Sequence, residues 1–407
     1  MNKFLRNLTI FIVIIIFIIA FSSSYSSHSM DNLAYVLAIG IDTSTNNNLK
    51  VTFQFSTTSS ISESGSNEKP SPVFNTVEAS SLSNAINLIN VYMGKEINMS
   101  HCKMIIFSEE IAQKGISSEI YTLINDAQVR PSTNILVTKS SSDYYIENTK
   151  PELESLISKY YSIITNSSDS TGYMPNATIG DFFNNMLCDT VEPYAILGGN
   201  SNISSQNQTD INSQKDYNMK ANESSIQGEA STENIGVAVF KGDKLVGELN
   251  ALESISFLTL RDEINSFLVS VPDPNNSSSY IDILLKPDAS PSIKVSTLSG
   301  NPYIKINTKF NGRIFSMTNS SDYSEESNLD IISKHCNSYL ESTFSNYLYK
   351  SSKEFNSDIT GFAKYALSNF LTTKDFNNYN WLDNYKNSFF DVKVNTSVKS
   401  GMLLNNT

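Results

Sequence analysis

Between Gly199 and Asn234 the chain is rich in Ser, Asn and Gln, nearly free of large apolar residues and without periodicity. Such a stretch cannot bury enough surface to offset the entropy of ordering it, so a mobile linker or long loop is predicted at 199–234. The rest must fold around it, as one body before and another after. Length agrees, because 407 residues exceed what a single hydrophobic core organises. The expected division is a leader at 1–24, an N-terminal body at 31–198 and a C-terminal body at 235–402, the last with two subdomains at about 235–285 and 290–402.

The leader sets the compartment. Lys3 and Arg6 precede a nearly uninterrupted apolar run from Leu8 to Phe21, the charged and apolar regions of a secretory signal. The run is shorter than the roughly 20 residues that span a bilayer with ease. That favours a cleaved signal over a short signal anchor, and Ala20-Phe21-Ser22 places small residues for cleavage. The positive flank stays inside, so everything after Ser22 is expected to be exported. No later segment approaches spanning length, which leaves the body on the outer face of a membrane.

Lys and Arg number 29 against 41 Asp and Glu, for a net charge of −12. Such a chain meets a phosphate backbone with repulsion, so no nucleic-acid partner is expected. The three cysteines, Cys102, Cys188 and Cys336, lack the spacing of a metal knuckle or redox pair. They are expected as small buried apolar side chains.

In the first body, Leu33–Ile41 and Lys50–Phe55 read as strands, and a polar loop with Pro70 and Pro72 follows. Ala79–Met93 and Ile116–Ala127 have helical spacing, with the strand Lys103–Phe107 between them and the strand Asn134–Thr138 after. A helix is predicted over 151–164, opening on Pro151. Alternating strands and helices indicate a mixed α/β layer. In the second body, Ile235–Phe240 and Lys244–Glu248 flank Lys241-Gly242-Asp243, a hairpin by pattern. Strands are predicted at 281–285, 293–297 and 303–310. A long helix follows, with Asp322 and Glu325 as a capping pair and Leu329, Ile332, Cys336, Tyr339, Phe344 and Tyr347 on one face. A second helix at 361–371 and a closing strand at 391–398 complete the expectation. The fold class is α+β, a mixed α/β N-terminal region and a C-terminal antiparallel sheet covered by a long helix.

Motifs for chemistry are absent. There is no phosphate-binding glycine loop, no Gly-x-Ser-x-Gly elbow and no His-Glu-x-x-His. His-Cys occurs twice, at His101-Cys102 and His335-Cys336, but adjacent strand residues point to opposite faces and converge poorly on a metal. Carboxylate pairs such as Glu109-Glu110 and Glu325-Glu326 read as solvated surface charge. No catalytic residue, metal or cofactor is expected.

Several segments in order resemble the Ger(x)C family of spore germination proteins. The run from Asn32 to Asp42, ending in Ile39-Gly40-Ile41-Asp42, is similar to the family's start. Gly94-Lys95, His101, then Ile105 to Ala112 with Glu109, and on to Arg130, resembles its Gly-Lys…His…Glu-x-Ala block. Gly236 to Gly247, carrying Phe240, Lys241 and Lys244, resembles its most recognisable signature. From the residues alone, Gly40, Gly242 and Gly247 suit turns and Asp42 a turn cap; His101 reads as a hydrogen-bonded structural histidine. The resemblance implies a non-enzymatic C-type subunit of a nutrient germinant receptor, a lipoprotein that works with A-type and B-type membrane subunits in spore germination. This chain departs at the lipid anchor. The family's cysteine and following Trp-Asp fall near Ser24-Tyr25-Ser26 here, and a serine cannot take the thioether lipid. Two other readings stay open: an exported binding or adhesion protein, and a cell-wall hydrolase accessory.

Overall fold

A computed structural model describes residues 2–22, 33–45, 48–56, 72–151, 153–154, 156–166, 168–200, 218–224, 232–297, 300–317 and 326–399. Ser24-Tyr25-Ser26, Pro70, Asp322, Glu325 and the end of the chain from Ser400 lie outside the described residues. The first helix, α1 (Asn2–Ser22), exposes every side chain from Ile10 to Phe17. Among the described residues, no helix is long and apolar enough to cross a membrane.

Among the described residues the first sheet has nine strands. They are β1 (Leu33–Thr43), β2 (Leu49–Phe55), β3 (Val73–Ala79), β4 (Glu96–Asn98), β5 (Met104–Ser108), β6 (Asn134–Thr138), β7 (Tyr194–Asn200), β8 (Thr232–Lys241) and β9 (Lys244–Leu249). Their order is β3-β2-β1-β5-β6-β7-β8-β9, with β4 paired to the start of β1. β1, β5, β6 and β7 run parallel at the centre and the flanking pairs are antiparallel. The central strands are apolar along nearly their whole length because helices cover them. These helices are α2 (Leu82–Met93), α3 (Glu109–Lys114), α4 (Ser117–Asn125), α5 (Ser142–Asn148), α6 (Ile157–Asn166), α7 (Ser168–Thr171) and α8 (Ile179–Met186). The helix expected from Pro151 begins six residues later, at Ile157. β3, an edge strand whose residues are mostly part-exposed, occupies part of what reads as a loop, since an edge needs little apolar patterning.

The Ser/Asn-rich stretch is anchored at both ends. β7 and β8 pair directly, with Gly199 opposite Glu233 and Asn200 opposite Thr232. Within the stretch Ala221 is fully buried, and its N–H donates to the Ile235 carbonyl at 2.9 Å. β8 and β9 therefore finish the first sheet, although the sequence places them at the head of the second body. The central edge of β7 needs hydrogen-bond partners, and the buried run Gly236–Phe240 supplies them.

The second sheet comprises β10 (Phe267–Asp273), β11 (Asn276–Ser296), β12 (Tyr303–Met317) and β13 (Phe389–Lys399) in that order. Two helices accompany it, α9 (Ala251–Arg261) and the long α10 (Glu326–Tyr349). The antiparallel expectation holds for β10–β12 but is corrected at β13, which pairs parallel to β12. The reason is connectivity: a strand–helix–strand crossover returns the chain to the end where β12 began. The expected helix at 361–371 is cut to Ala363–Ala366 and a 3-10 turn.

The α10 helix also seals the edge of this sheet. The N–H groups of Val394, Thr396 and Val398 donate to Glu341 Oε1 (3.0 Å), Asn337 Oδ1 (2.7 Å) and Ser333 Oγ (3.1 Å). Four helix residues advance about 6.0 Å and two strand residues about 6.6 Å, so the two periods match over this distance. An edge that would otherwise recruit another strand is satisfied internally. Asn337→Ala leaves the Thr396 N–H without its acceptor and is expected to cost about 1–2 kcal/mol in urea unfolding, with hydrogen-exchange protection lost first at Thr396. An unchanged exchange rate there would show that the helix does not seal the edge.

Buried apolar residues form one connected cluster from β1 to β13. α9 bridges the sheets, with all eight residues from Ser254 to Arg261 except the last fully enclosed.

Candidate functional site

The β8–β9 hairpin sits where the two sheets meet. Gly242 has φ +60°, the left-handed conformation its turn requires, and its N–H donates to Glu192 Oε2 at 2.6 Å. The neighbouring Asp243 reaches the other way. Its carbonyl accepts the Ile116 N–H at 3.1 Å and its carboxylate accepts the Ser117 N–H at 3.4 Å, covering the first turn of α4. Lys241 pairs with Asp383 at 3.7 Å. The fully buried Phe240 meets the Phe182 ring edge-on at 4.8 Å, and its carbonyl accepts the Ser357 hydroxyl at 2.5 Å. At Gly247 a Cβ would lie 2.1 Å from the Phe355 ring, so the glycine is a platform for that ring.

Beneath the hairpin lies a fully buried carboxylate, Asp358. It accepts the backbone N–H groups of Gly361 (2.8 Å), Phe362 (3.1 Å) and Ala363 (3.2 Å) and the Trp381 indole N–H (2.8 Å). Burial pushes its pKa up to about 6 against the opposing pull of those four donors. Burial also raises Glu192, whose own N–H donates to the Asp358 carbonyl at 3.1 Å. The loop through Asp358 follows a π-helical turn, Lys350–Glu354, that extends α10. Such turns are over-represented at functional positions.

α9 clamps this junction from its two ends. Asn250 and Glu253 form a capping box at its start, and the Glu253 carboxylate pairs with Lys350 at 2.7 Å in a largely buried position. At its end Arg261 lies 5.0 Å from the Tyr194 ring centroid and 5.6 Å from that of Phe257. The same guanidinium donates to the Ile359 carbonyl at 3.1 Å. Both bodies are therefore joined through charged and polar groups that are paired, which suits precise seating. Among the described residues nothing in the arrangement presents a nucleophile beside a base. Among the described residues no group of three or more His, Cys, Asp or Glu is placed to hold a metal.

Two family models match the chain. Residues 26–197 match "Spore germination protein N-terminal domain" and residues 235–401 match "Spore germination B3/ GerAC like, C-terminal". The chain belongs to this spore germination family. The crystal structure of the GerBC protein is similar over 88% of this chain and 96% of that one, with a TM-score of 0.52 and 15% identity; at that identity the likeness is one of fold. No curated protein sequence matches the chain.

The other residues that carry the sequence resemblance fall at opposite ends of the parallel strands. Gly40 and Asp42 lie in β1 and not in a turn. A Cβ at Gly40 would stand 2.4 Å from Ser142 Oγ, and Asp42 accepts the Ser142 N–H (2.7 Å) and hydroxyl (2.6 Å). Together they seat α5 on the sheet, a contact between residues 100 positions apart that no local pattern announces. Glu109 opens α3 and accepts from Gln113 at 3.0 Å. Asp42 and Glu109 share an open cleft of about 450 Å³ with Lys50 and Lys139, beyond the carboxyl ends of β1, β5 and β6.

Gly94, Lys95, His101 and Arg130 occupy the other end. Gly94 closes α2 in the left-handed conformation and Lys95 is exposed beside it. His101 is exposed and meets the Tyr35 ring edge-on at 4.9 Å, and Arg130 is exposed ahead of β6. Lys244 is exposed on the hairpin. Sequence reasoning found the hairpin but missed Glu192, Asp358 and Trp381, whose relation is purely tertiary. Cys102 and Cys336 are buried free thiols raised to about 12 by burial, and Cys188 is half-buried and free.

Proposed function

We propose that this chain is the C-type subunit of a nutrient germinant receptor and acts by assembly with A-type and B-type membrane subunits, without turnover of a substrate. The observation that carries the reading is the ordered match of both halves to spore germination domains on one continuous fold. The hairpin junction supports it: paired buried charges hold two bodies in one orientation, as a subunit that must present fixed surfaces requires.

The same reading places the body outside the membrane, held by α1 as a short signal anchor. The apolar run Leu8–Phe21 is about 21 Å of helix, shorter than the hydrocarbon thickness of a bilayer. It would be accommodated by local thinning, with Lys3 and Arg6 extending towards the cytoplasmic interface. Partner subunits supply the rest of the retention.

Deleting the gene in its spore-former is expected to abolish germination triggered by at least one nutrient, with germination by non-nutrient triggers intact. Normal responses to every nutrient in a strain stripped of other receptors would sink the assignment. Recovery of multi-spanning membrane proteins with the affinity-purified chain tests assembly separately.

A further inference from the structure

We propose that the end of the first sheet at which β1 begins rests on the lipid surface, with Val91, Tyr92 and Lys95 forming the contact. The inference deepens the membrane-held reading above and rests on it. Its starting point is register. Leu33 in β1 pairs with Glu96 in β4, so the last turn of α2 and Lys95 stand level with the place where the chain arrives from α1. Only the residues between Ser22 and Leu33 separate the apolar helix from the sheet, a reach of at most about 40 Å when fully extended. The arrival of the chain at Leu33 favours this end of the molecule for a bilayer holding α1.

The surface there has the composition of a headgroup contact. α2 buries Leu82, Ala85 and Ile89 against the sheet, while Val91 is 85% and Tyr92 76% exposed. Leu88, one turn earlier, is 44% exposed and continues the apolar stripe. Among the described residues Val91 and Tyr92 both keep most of their apolar surface uncovered. An aromatic ring with a hydroxyl straddles the boundary between acyl chains and water, and a lysine lays its stem along apolar surface with the ammonium outward. His101 and Arg130 are exposed at the same end. Charges of both signs occur at this end, Glu96 and Asp126 as well as Lys95, Lys103 and Arg130, so the contact is interfacial rather than electrostatic. The opposite end of the strands holds the cleft of Asp42, Glu109 and Glu110 with Lys50 and Lys139 and would face away from the lipid.

The chain offers a clean optical test, because its one tryptophan, Trp381, is 1% exposed. Tyr92→Trp and Tyr144→Trp place a second indole at opposite ends of the sheet, on side chains that are already exposed. The full chain is reconstituted into phosphatidylcholine–phosphatidylglycerol vesicles, with and without bromine on the acyl chains. Brominated lipid is expected to lower the added emission of the Tyr92→Trp protein at least twofold, leave that of Tyr144→Trp unchanged, and do so equally at low and high salt. Vesicle-bound protein in which the two indoles are quenched alike, or only the one at 144 is quenched, overturns the orientation while leaving the membrane reading standing. Protein that fails to float with the vesicles overturns both.

Discussion

Gly236→Ala is expected to destabilise the protein by roughly 3–5 kcal/mol, because backbone strain and a backbone collision add at one position. Gly236 has φ +109°, a conformation that L residues adopt at a cost of about 1–3 kcal/mol. A Cβ there would also lie 2.3 Å from the Leu249 carbonyl oxygen and 3.0 Å from Leu197. The carbonyl belongs to the paired strand β9, opposite Val237, so relief requires the two strands to part. Its own N–H donates to the Tyr173 carbonyl at 2.7 Å, which ties the same residue to the segment before α8. The comparison is Gly242→Asn in the turn of the same hairpin. Gly242 has φ +60° with open space around it, and Asn tolerates that conformation, so the cost should stay below about 1 kcal/mol. Urea midpoints of the two variants decide the matter: equal losses would mean that β8 and β9 have more room than their register implies.

Asp358→Ala is expected to cost about 3–5 kcal/mol at neutral pH, the range for removing one side of a buried, fully hydrogen-bonded charge. Four N–H donors would lose their acceptor in a site closed to water. The loop they hold is the one that presents Ser357 to Phe240 and Phe355 to Gly247, so the second body loosens from the hairpin and limited proteolysis should cut near 355–363 first. Asp358→Asn keeps the shape and removes the titration. With the folded carboxyl raised to about 6 and the unfolded one near 3.8, the folded state holds its proton more tightly. The wild-type protein thus gains stability from this group below pH 3.8 and loses it as pH rises through 6, about 3 kcal/mol in all. The difference in stability between wild type and Asp358→Asn should narrow by that order between pH 4 and 7. A difference independent of pH would show that the carboxylate is ionised throughout, held by its four donors.

The hairpin illustrates how the candidate site was partly legible. Lys241-Gly242-Asp243 between apolar runs identifies a turn from residues within a few positions of one another, and the structure forms that turn. The same residues do not reveal that Asp243 covers α4 or that Gly247 lies under Phe355, because those partners are remote in sequence and meet only after both bodies dock. Gly40 and Asp42 read as a turn for a related reason. A glycine needed for close approach and one needed for a left-handed turn look identical in sequence, and only Ser142 in place distinguishes them. α9 was missed because its residues are enclosed on nearly every side, so no amphipathic period marks it.

Local sequence determined the strands and helices with clear periodicity, the turn at Gly242, the α+β class and the family, since each rests on short-range stereochemistry or on motifs in order. Tertiary structure alone decided that β8 and β9 belong to the first sheet, that β13 runs parallel to β12, and that Glu192, Asp358 and Trp381 share one buried network. Those outcomes depend on which exposed edge or unpaired buried group finds a partner across the fold. Hydrogen-bond satisfaction in a dry interior settles such matters only when every competing edge and group is present together.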